Sequence, residues 1–187
     1  MSKREYQKLL KEKAEVKKEL FERCYPGENL KHPLIVLFAP EKKGAREIMF
    51  NLLEGMMVLP GRVIVVSDDQ PEDVVKRPTG KITWVSPEKG RAGEIIEKYL
   101  TASDMAIVFE EHLSEMRELL KRGVVVVGPD KSPLLETYHP NEETGYSFTY
   151  NEMNPWDIFR ALVRAHETFA FPFDWGNIVR AMLKVKL

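Results

Sequence analysis

Asp104–Pro129 reads D-M-A-I-V-F-E-E-H-L-S-E-M-R-E-L-L-K-R-G-V-V-V-V-G-P. Met105–Phe109 is apolar without alternation, so both faces of that strand expect burial, as in a parallel sheet covered by helices. Leu113, Met116, Leu119 and Leu120 then form one apolar stripe flanked by charge, the pattern of an amphipathic helix. Gly123 stands where a glycine ends a helix, and Val124–Val127 begins a second buried strand. The unit is strand, helix, strand, and its crossover is nearly always right-handed. Ligands of open α/β sheets bind outside the carboxyl ends of the strands, here near Glu110 and Glu111.

The same alternation extends outward. Pro33–Ala39 (P-L-I-V-L-F-A) is a buried strand, the loop P-E-K-K-G leads into a helix from about Ala45 to Val58, and Arg62–Ser67 (R-V-I-V-V-S) is a second strand. A polar turn, D-D-Q-P-E-D, separates it from a shorter strand at Lys81–Ser86, and Gly90–Ala102 is helical with Ile95, Ile96, Tyr99 and Leu100 on one side. After the central unit, residues 130–146 read as a long loop. A helix from Pro155 to about Phe169 carries proline in its first turn, and a last helix runs from Asp174, its expected N-cap, to about Lys184. Residues 3–23 are rich in helix formers, with Tyr6, Leu9, Leu10, Lys13, Val16, Leu20 and Phe21 close to heptad spacing, and Pro26-Gly27 ends that helix. Its stripe suits packing on the domain or a partner.

The fold expected is α/β, a doubly wound, Rossmann-like parallel sheet of about five strands with an N-terminal helix and two C-terminal helices. Residues 1–30 form a helical appendage and 31–187 a single domain. Apolar residues make up 43% of the chain and charged ones 30%, which argues against disorder and fibrous repeats. A net charge of −1 leaves no footprint for nucleic acid. No apolar run is long enough for a membrane span and the N-terminus lacks a signal peptide's apolar region, so a cytoplasmic protein is expected. The single cysteine, Cys24, excludes an internal disulfide and reads as an inert thiol near a helix end.

Neither a dinucleotide fingerprint nor a P-loop follows the first strand. That loop instead offers Lys43, Gly44 and Arg46 near a helix N-terminus, where backbone N–H groups and the dipole favour an anion; the residues read equally as a solvated charge cluster. Glu110 at a strand end can accept hydrogen bonds from sugar hydroxyls, beside the N–H groups of Leu113 and Ser114, or can simply complement the helix start. His32, His112, His139 and His166 are scattered, so no metal and no cofactor is expected. Trp156, Phe159, Phe169, Phe171, Phe173 and Trp175 read as a wedge between the final helices and the sheet.

Taken in order, these segments resemble the C-terminal, nucleotide-sugar-binding half of glycogen and starch synthases, two-domain GT-B glycosyltransferases. P-L-I-V-L-F-A-P-E-K-K-G-A-R-E-I is similar to the family's opening strand and Lys-Gly loop, and V-I-V-V-S-D-D-Q-P to its second strand and turn. A-S-D-M-A-I-V-F-E resembles the Ala-Asp strand before the Glu-Pro-x-Gly-Leu motif, and L-K-R-G-V-V-V-V-G the segment that ends Pro-Val-Val. The tail, E-T-G-Y-S-F, then I-F-R-A-L-V-R-A-H-E-T-F, then W-G-N-I-V-R-A-M, resembles the family's Thr-Gly-Phe-x-Phe and its last two helices.

The resemblance implies that Lys43 holds a donor diphosphate and that Glu110 faces the transferred sugar. It also implies that Lys131-Ser132 occupies the loop where the family backbone approaches the donor. The implied reaction transfers glucose from ADP-glucose or UDP-glucose to the non-reducing end of an α-1,4-glucan, with retention. Ala39-Pro40 replaces the family's Gly-Arg, and Leu113 replaces a glycine of the glutamate motif. An acceptor-type domain is also missing, so the isolated chain is expected to bind donor weakly and not to catalyse alone. A homodimer or an acceptor-domain partner would complete it; the second reading is a non-enzymatic interaction module.

Overall fold

A computed structural model describes residues 3–67, 80–86 and 92–185, and of Lys3, Ala92, Glu111, Leu113 and Ser114 the backbone alone. The polar turn expected at Asp68–Asp73 and the helix start expected at Gly90 lie outside the described residues. In chain order the elements are α1 (Lys3–Cys24), β1 (Leu34–Phe38), α2 (Lys43–Met56), β2 (Arg62–Val66), β3 (Ile82–Val85), α3 (Ala92–Ala102), β4 (Met105–Ile107), α4 (Leu113–Lys121), β5 (Val125–Pro129), β6 (Phe148–Tyr150), α5 (Pro155–Phe169) and α6 (Pro172–Met182). A short 3₁₀ turn, Glu110–His112, precedes α4.

The strands pair in the order β3-β2-β1-β4-β5-β6 and all are parallel. Winding reverses between β1 and β4, which with right-handed crossovers puts α2 on one face and α3 and α4 on the other. α5 packs beside α2, and α1 beside α3. Burial on both faces explains the unalternating strands: Leu34, Val36, Leu37, Met105–Phe109 and Val124–Val127 have no exposed surface. Met49, Leu52, Leu53 and Met56 of α2 cover one face, and Met116, Leu119 and Leu120 of α4 the other.

The sheet has six strands, one more than the sequence suggested. β6 is only three residues long and follows the segment read as loop, too short for a period to register. The connection before it folds on itself through bridges Thr137 to Ser147 and His139 to Thr144. Gly145 is required there: φ is +82°, and a Cβ would lie 2.1 Å from the Thr137 carbonyl oxygen. Gly123 ends α4 as expected, at φ +69° in a Schellman turn, with Val124 N–H donating to Leu119 O (3.0 Å) and Gly123 N–H to Leu120 O (3.1 Å).

Two expectations about the tail are corrected. Asp174 is not the N-cap of α6; Phe171 holds that position, and Pro172 starts the helix two residues earlier because its fixed φ suits the first turn. The aromatic wedge is partial. Phe169 and Trp175 meet edge to face at 5.0 Å and Phe159 lies against Gly55, but Trp156, Phe171 and Phe173 are 82%, 60% and 68% exposed.

α1 is held at the amino ends of the strands by charge as well as apolar contact. Leu20 and Phe21 are buried, and so are Lys13 and Lys17. Lys17 Nζ donates to Asp104 Oδ2 (2.7 Å) and to the His32 carbonyl (2.8 Å), while Leu34 N–H donates to the same Asp104 oxygen (2.8 Å). Lys13 Nζ donates to Gly123 O (3.1 Å), and burial lowers its pKa from 10.5 to about 8, partly opposed by the Asp104 charge.

Replacing Asp104 by Ala strands a buried ammonium, and the loss expected is about 3–5 kcal/mol of unfolding free energy, read by denaturant titration. For Lys13 the folded state binds fewer protons than the unfolded state between pH about 8 and 10.5. Stability should therefore rise with pH across that window, by roughly 1 kcal/mol per pH unit at most. Lys13→Met should flatten that slope in the same titrations, and an unchanged slope would refute the assignment.

Candidate functional site at the switch between β1 and β4

Where a doubly wound sheet reverses direction, the two neighbouring connections leave on opposite faces and a crevice opens beyond the carboxyl ends of the strands. Here that point lies between β1 and β4, which pair from Ile35 to Leu37 against Met105 to Ile107. The loop after β1 leads to Lys43 and Gly44, and the loop after β4 to Glu110. All three are exposed, and they lie on the two connections that leave this point.

On the β1 side, the ladder continues through Ala39, whose N–H donates to Val66 O (2.9 Å). Pro40 then turns the chain, and Lys42 takes the N-cap position of α2 in extended geometry without a side-chain hydrogen bond. The helix therefore opens on backbone N–H groups with Lys43 as its first residue, a polarity that suits an anion. A Cβ added at Gly44 would meet nothing within 4 Å, so the fold itself does not demand glycine there. Arg46 turns back, its Nε donating to Pro40 O (3.1 Å).

On the β4 side, Val108 N–H reaches Val127 O (2.9 Å) before the 3₁₀ turn begins. Glu110 opens that turn, and α4 starts at Leu113, so the backbone N–H groups of Leu113 and Ser114 open a helix as the sequence suggested. His112 closes the turn. Its Nε2 lies 3.3 Å from Ala39 O, its ring 5.8 Å from the Phe38 ring, and its Nδ1 3.9 Å from Glu115 Oε1. Behind the turn, the buried Tyr150 hydroxyl donates to Val108 O (3.1 Å). Burial, and secondarily the Glu110 charge, hold that phenol well above the ordinary tyrosine range.

One strand further out, Lys131 is exposed in the loop after β5, whereas Ser132 is 6% exposed. The Ser132 hydroxyl donates to Met116 Sδ (3.4 Å) and accepts from Leu134 N–H (3.3 Å), so it shapes its own loop. Lys43 and Gly44 thus lie on the connection after β1 and Glu110 on the connection after the adjacent β4, with Lys131 and Ser132 one strand further out. His112, Arg46 and Tyr150 escaped the sequence reading of this site in the roles they hold, because each acts through a main-chain carbonyl that no spacing rule reveals. Among the described residues no group of His, Cys, Asp and Glu is arranged to hold a metal, and no helix is long and apolar enough to cross a membrane.

No protein-family model matches the chain, and no curated protein sequence matches it. Solved structures do. The catalytic domain of starch synthase IV from Arabidopsis thaliana, bound to ADP and acarbose, matches with a TM-score of 0.71 at 16% identity, over 93% of this chain and 39% of that one. Sucrose-phosphate synthase from Thermosynechococcus elongatus matches with a TM-score of 0.59 at 17% identity, over 91% and 44%. Both neighbours are GT-B glycosyltransferases. The fold is thus the Rossmann-like α/β architecture found within such enzymes, and the chain spans about two-fifths of their length.

Because nothing crowds position 44, Gly44→Ala should leave stability unchanged or raise it by up to about 1 kcal/mol, alanine being the better helix former. Denaturant unfolding measures this, and a loss above that size would contradict the open geometry.

Proposed function

We propose that this chain binds a nucleotide sugar, ADP-glucose or UDP-glucose, across the switch point, and acts as the donor half of a glycogen or starch synthase-like glycosyl transfer. The observation that carries the reading is the pairing of Lys43, at an uncapped helix start, with Glu110 on the adjacent connection. A diphosphate suits the Lys43 ammonium and the first N–H groups of α2, and the hydroxyls of a sugar suit the Glu110 carboxylate and the start of α4. The starch synthase IV structure of the same fold is bound to ADP, which favours a nucleotide over other anions.

In the transfer, the bond from the sugar's anomeric carbon to the diphosphate oxygen breaks, a bond to the acceptor hydroxyl oxygen forms with retention, and the hydroxyl proton passes to the departing diphosphate. Negative charge grows on the departing diphosphate, where the Lys43 cation and the helix N–H groups act. The exposed Lys131 and the backbone around Ser132 border the donor from the β5 side. In this reading residues 31–187 are the donor-type domain, 1–30 its helical appendage, and the protein works in the cytoplasm. Acceptor glucan is then held by an acceptor-type domain or partner chain, because without a facing wall most of the positioning a retaining transfer needs is missing. Donor binding by this chain alone is weak and turnover negligible.

Titration with ADP, UDP, ADP-glucose and UDP-glucose at millimolar concentration, followed by amide NMR and calorimetry, tests the reading. Shifts should cluster around Lys43 and Glu110, and Lys43→Ala should weaken ADP binding about tenfold or more while unfolding stability stays within about 0.5 kcal/mol. Gly44→Ala should weaken binding too, since a Cβ obstructs the approach of phosphate to the backbone. No shift near either residue would end the nucleotide-sugar reading.

A further inference from the structure

The geometry points to His112 as a positioning residue whose imidazole ties the turn after β4 to the loop after β1 and fixes the width of the crevice that Lys43 and Glu110 flank. Its consequence for binding rests on the donor-site reading, but the tie itself does not. Ala39 O can only accept, so His112 Nε2 carries the hydrogen and donates across the switch point at 3.3 Å. The other ring nitrogen lies 3.9 Å from Glu115, too far for a hydrogen bond. The Phe38 ring lies at 5.8 Å, tilted by 38°. One side chain of the β4 connection therefore meets two consecutive residues at the exit of β1.

The Ala39 N–H of this loop donates to Val66 O (2.9 Å), and its carbonyls are held by side chains. Pro40 has no N–H to donate. Its carbonyl is taken by Arg46 Nε from the first turns of α2, so the carbonyls of Ala39 and Pro40 are gripped separately, one by His112 and one by Arg46. His112 side-chain exposure is 16%, surroundings in which a hydrogen bond is stronger than in water. Glu110 belongs to the same three-residue turn, so a shift of His112 carries the carboxylate with it. Lys43 follows Pro40 by three residues and moves with that loop.

Two variants of the full chain test this, His112→Ala and His112→Gln, the latter with a side-chain amide that can donate to the same carbonyl. Without ligand, H112A should speed hydrogen exchange about tenfold on both sides of the crevice. The amides to follow are that of residue 112, bonded to Phe109 O, and that of Arg46, bonded to Lys42 O; Val125 should not change. H112Q should restore most of the protection. With ADP, H112A should weaken binding roughly 3- to 10-fold, the worth of one hydrogen bond. That loss should shrink below about twofold in a Lys43→Ala background, as expected of two coupled residues.

Exchange that changes on neither side or one side only, an H112Q no better than H112A, or an unaltered ADP affinity in H112A each overturns the inference. A parent chain that binds no ADP, with the exchange coupling intact, instead sinks the donor-site reading and leaves the tie standing.

Discussion

The ion pair between Lys17 and Asp104 ties α1 to the entry of β4. Both side chains are nearly out of water, at 9% and 11% exposure. A buried charge is tolerated only when its bonding capacity is used, and here it is. One Asp104 oxygen accepts from Lys17 and from the Leu34 amide, so a carboxylate at the entry of β4 caps the entry of β1. The same ammonium bonds the His32 carbonyl and sits over the rings of Phe21 and Phe169, at 5.5 and 5.4 Å. α1, the two central strands and the end of α5 thus converge on a single nitrogen. Lys13 repeats the device on Gly123 O at the entry of β5.

Those contacts all lie at the amino ends of the strands. At the carboxyl ends the arrangement differs in kind: the loops after β1 and β4 are restrained through main-chain carbonyls, by Arg46, His112 and Tyr150. Lys43, Gly44, Glu110 and Lys131 are exposed and contribute little to holding the sheet together. Parallel winding produces this division, since every crossover begins at the carboxyl edge and its helix returns the chain to the amino edge. Stability is concentrated at one edge and ligand-ready polarity is left at the other.

That division also explains what the sequence discloses. Strands buried on both faces must be continuously apolar, so β1, β2, β4 and β5 announce themselves; α4 and its Gly123 stop do so by period and by the need for a left-handed residue. β6 stayed hidden because Phe148-Thr149-Tyr150 is shorter than any usable window, and its placement depends on pairing with β5. Lys13 was legible as part of the stripe of α1, whereas Lys17 was not, because a lysine's burial depends on a carboxylate 87 residues away. Asp174 looked like a cap because aspartate accepts N–H groups well, but Pro172 competes for the helix start and wins through its fixed φ. Lys43 and Glu110 were legible as residues of the connections after β1 and β4. His112 was not, since its contact is with the carbonyl of Ala39 in the loop after β1, 73 residues away.

An α/β sheet of this kind asks of its core positions only that they be apolar and of suitable volume, a condition many sequences satisfy. Shared architecture at low sequence identity is therefore what the physics of the amino edge permits. The carboxyl edge is under no such constraint, because Gly44 has open space and Glu110 and Lys131 face water. Changes of residue on those loops leave the core packing untouched and alter only what the switch point can grip. The fold thus fixes which loops border the switch point, and the exposed side chains on them can vary without cost to the core.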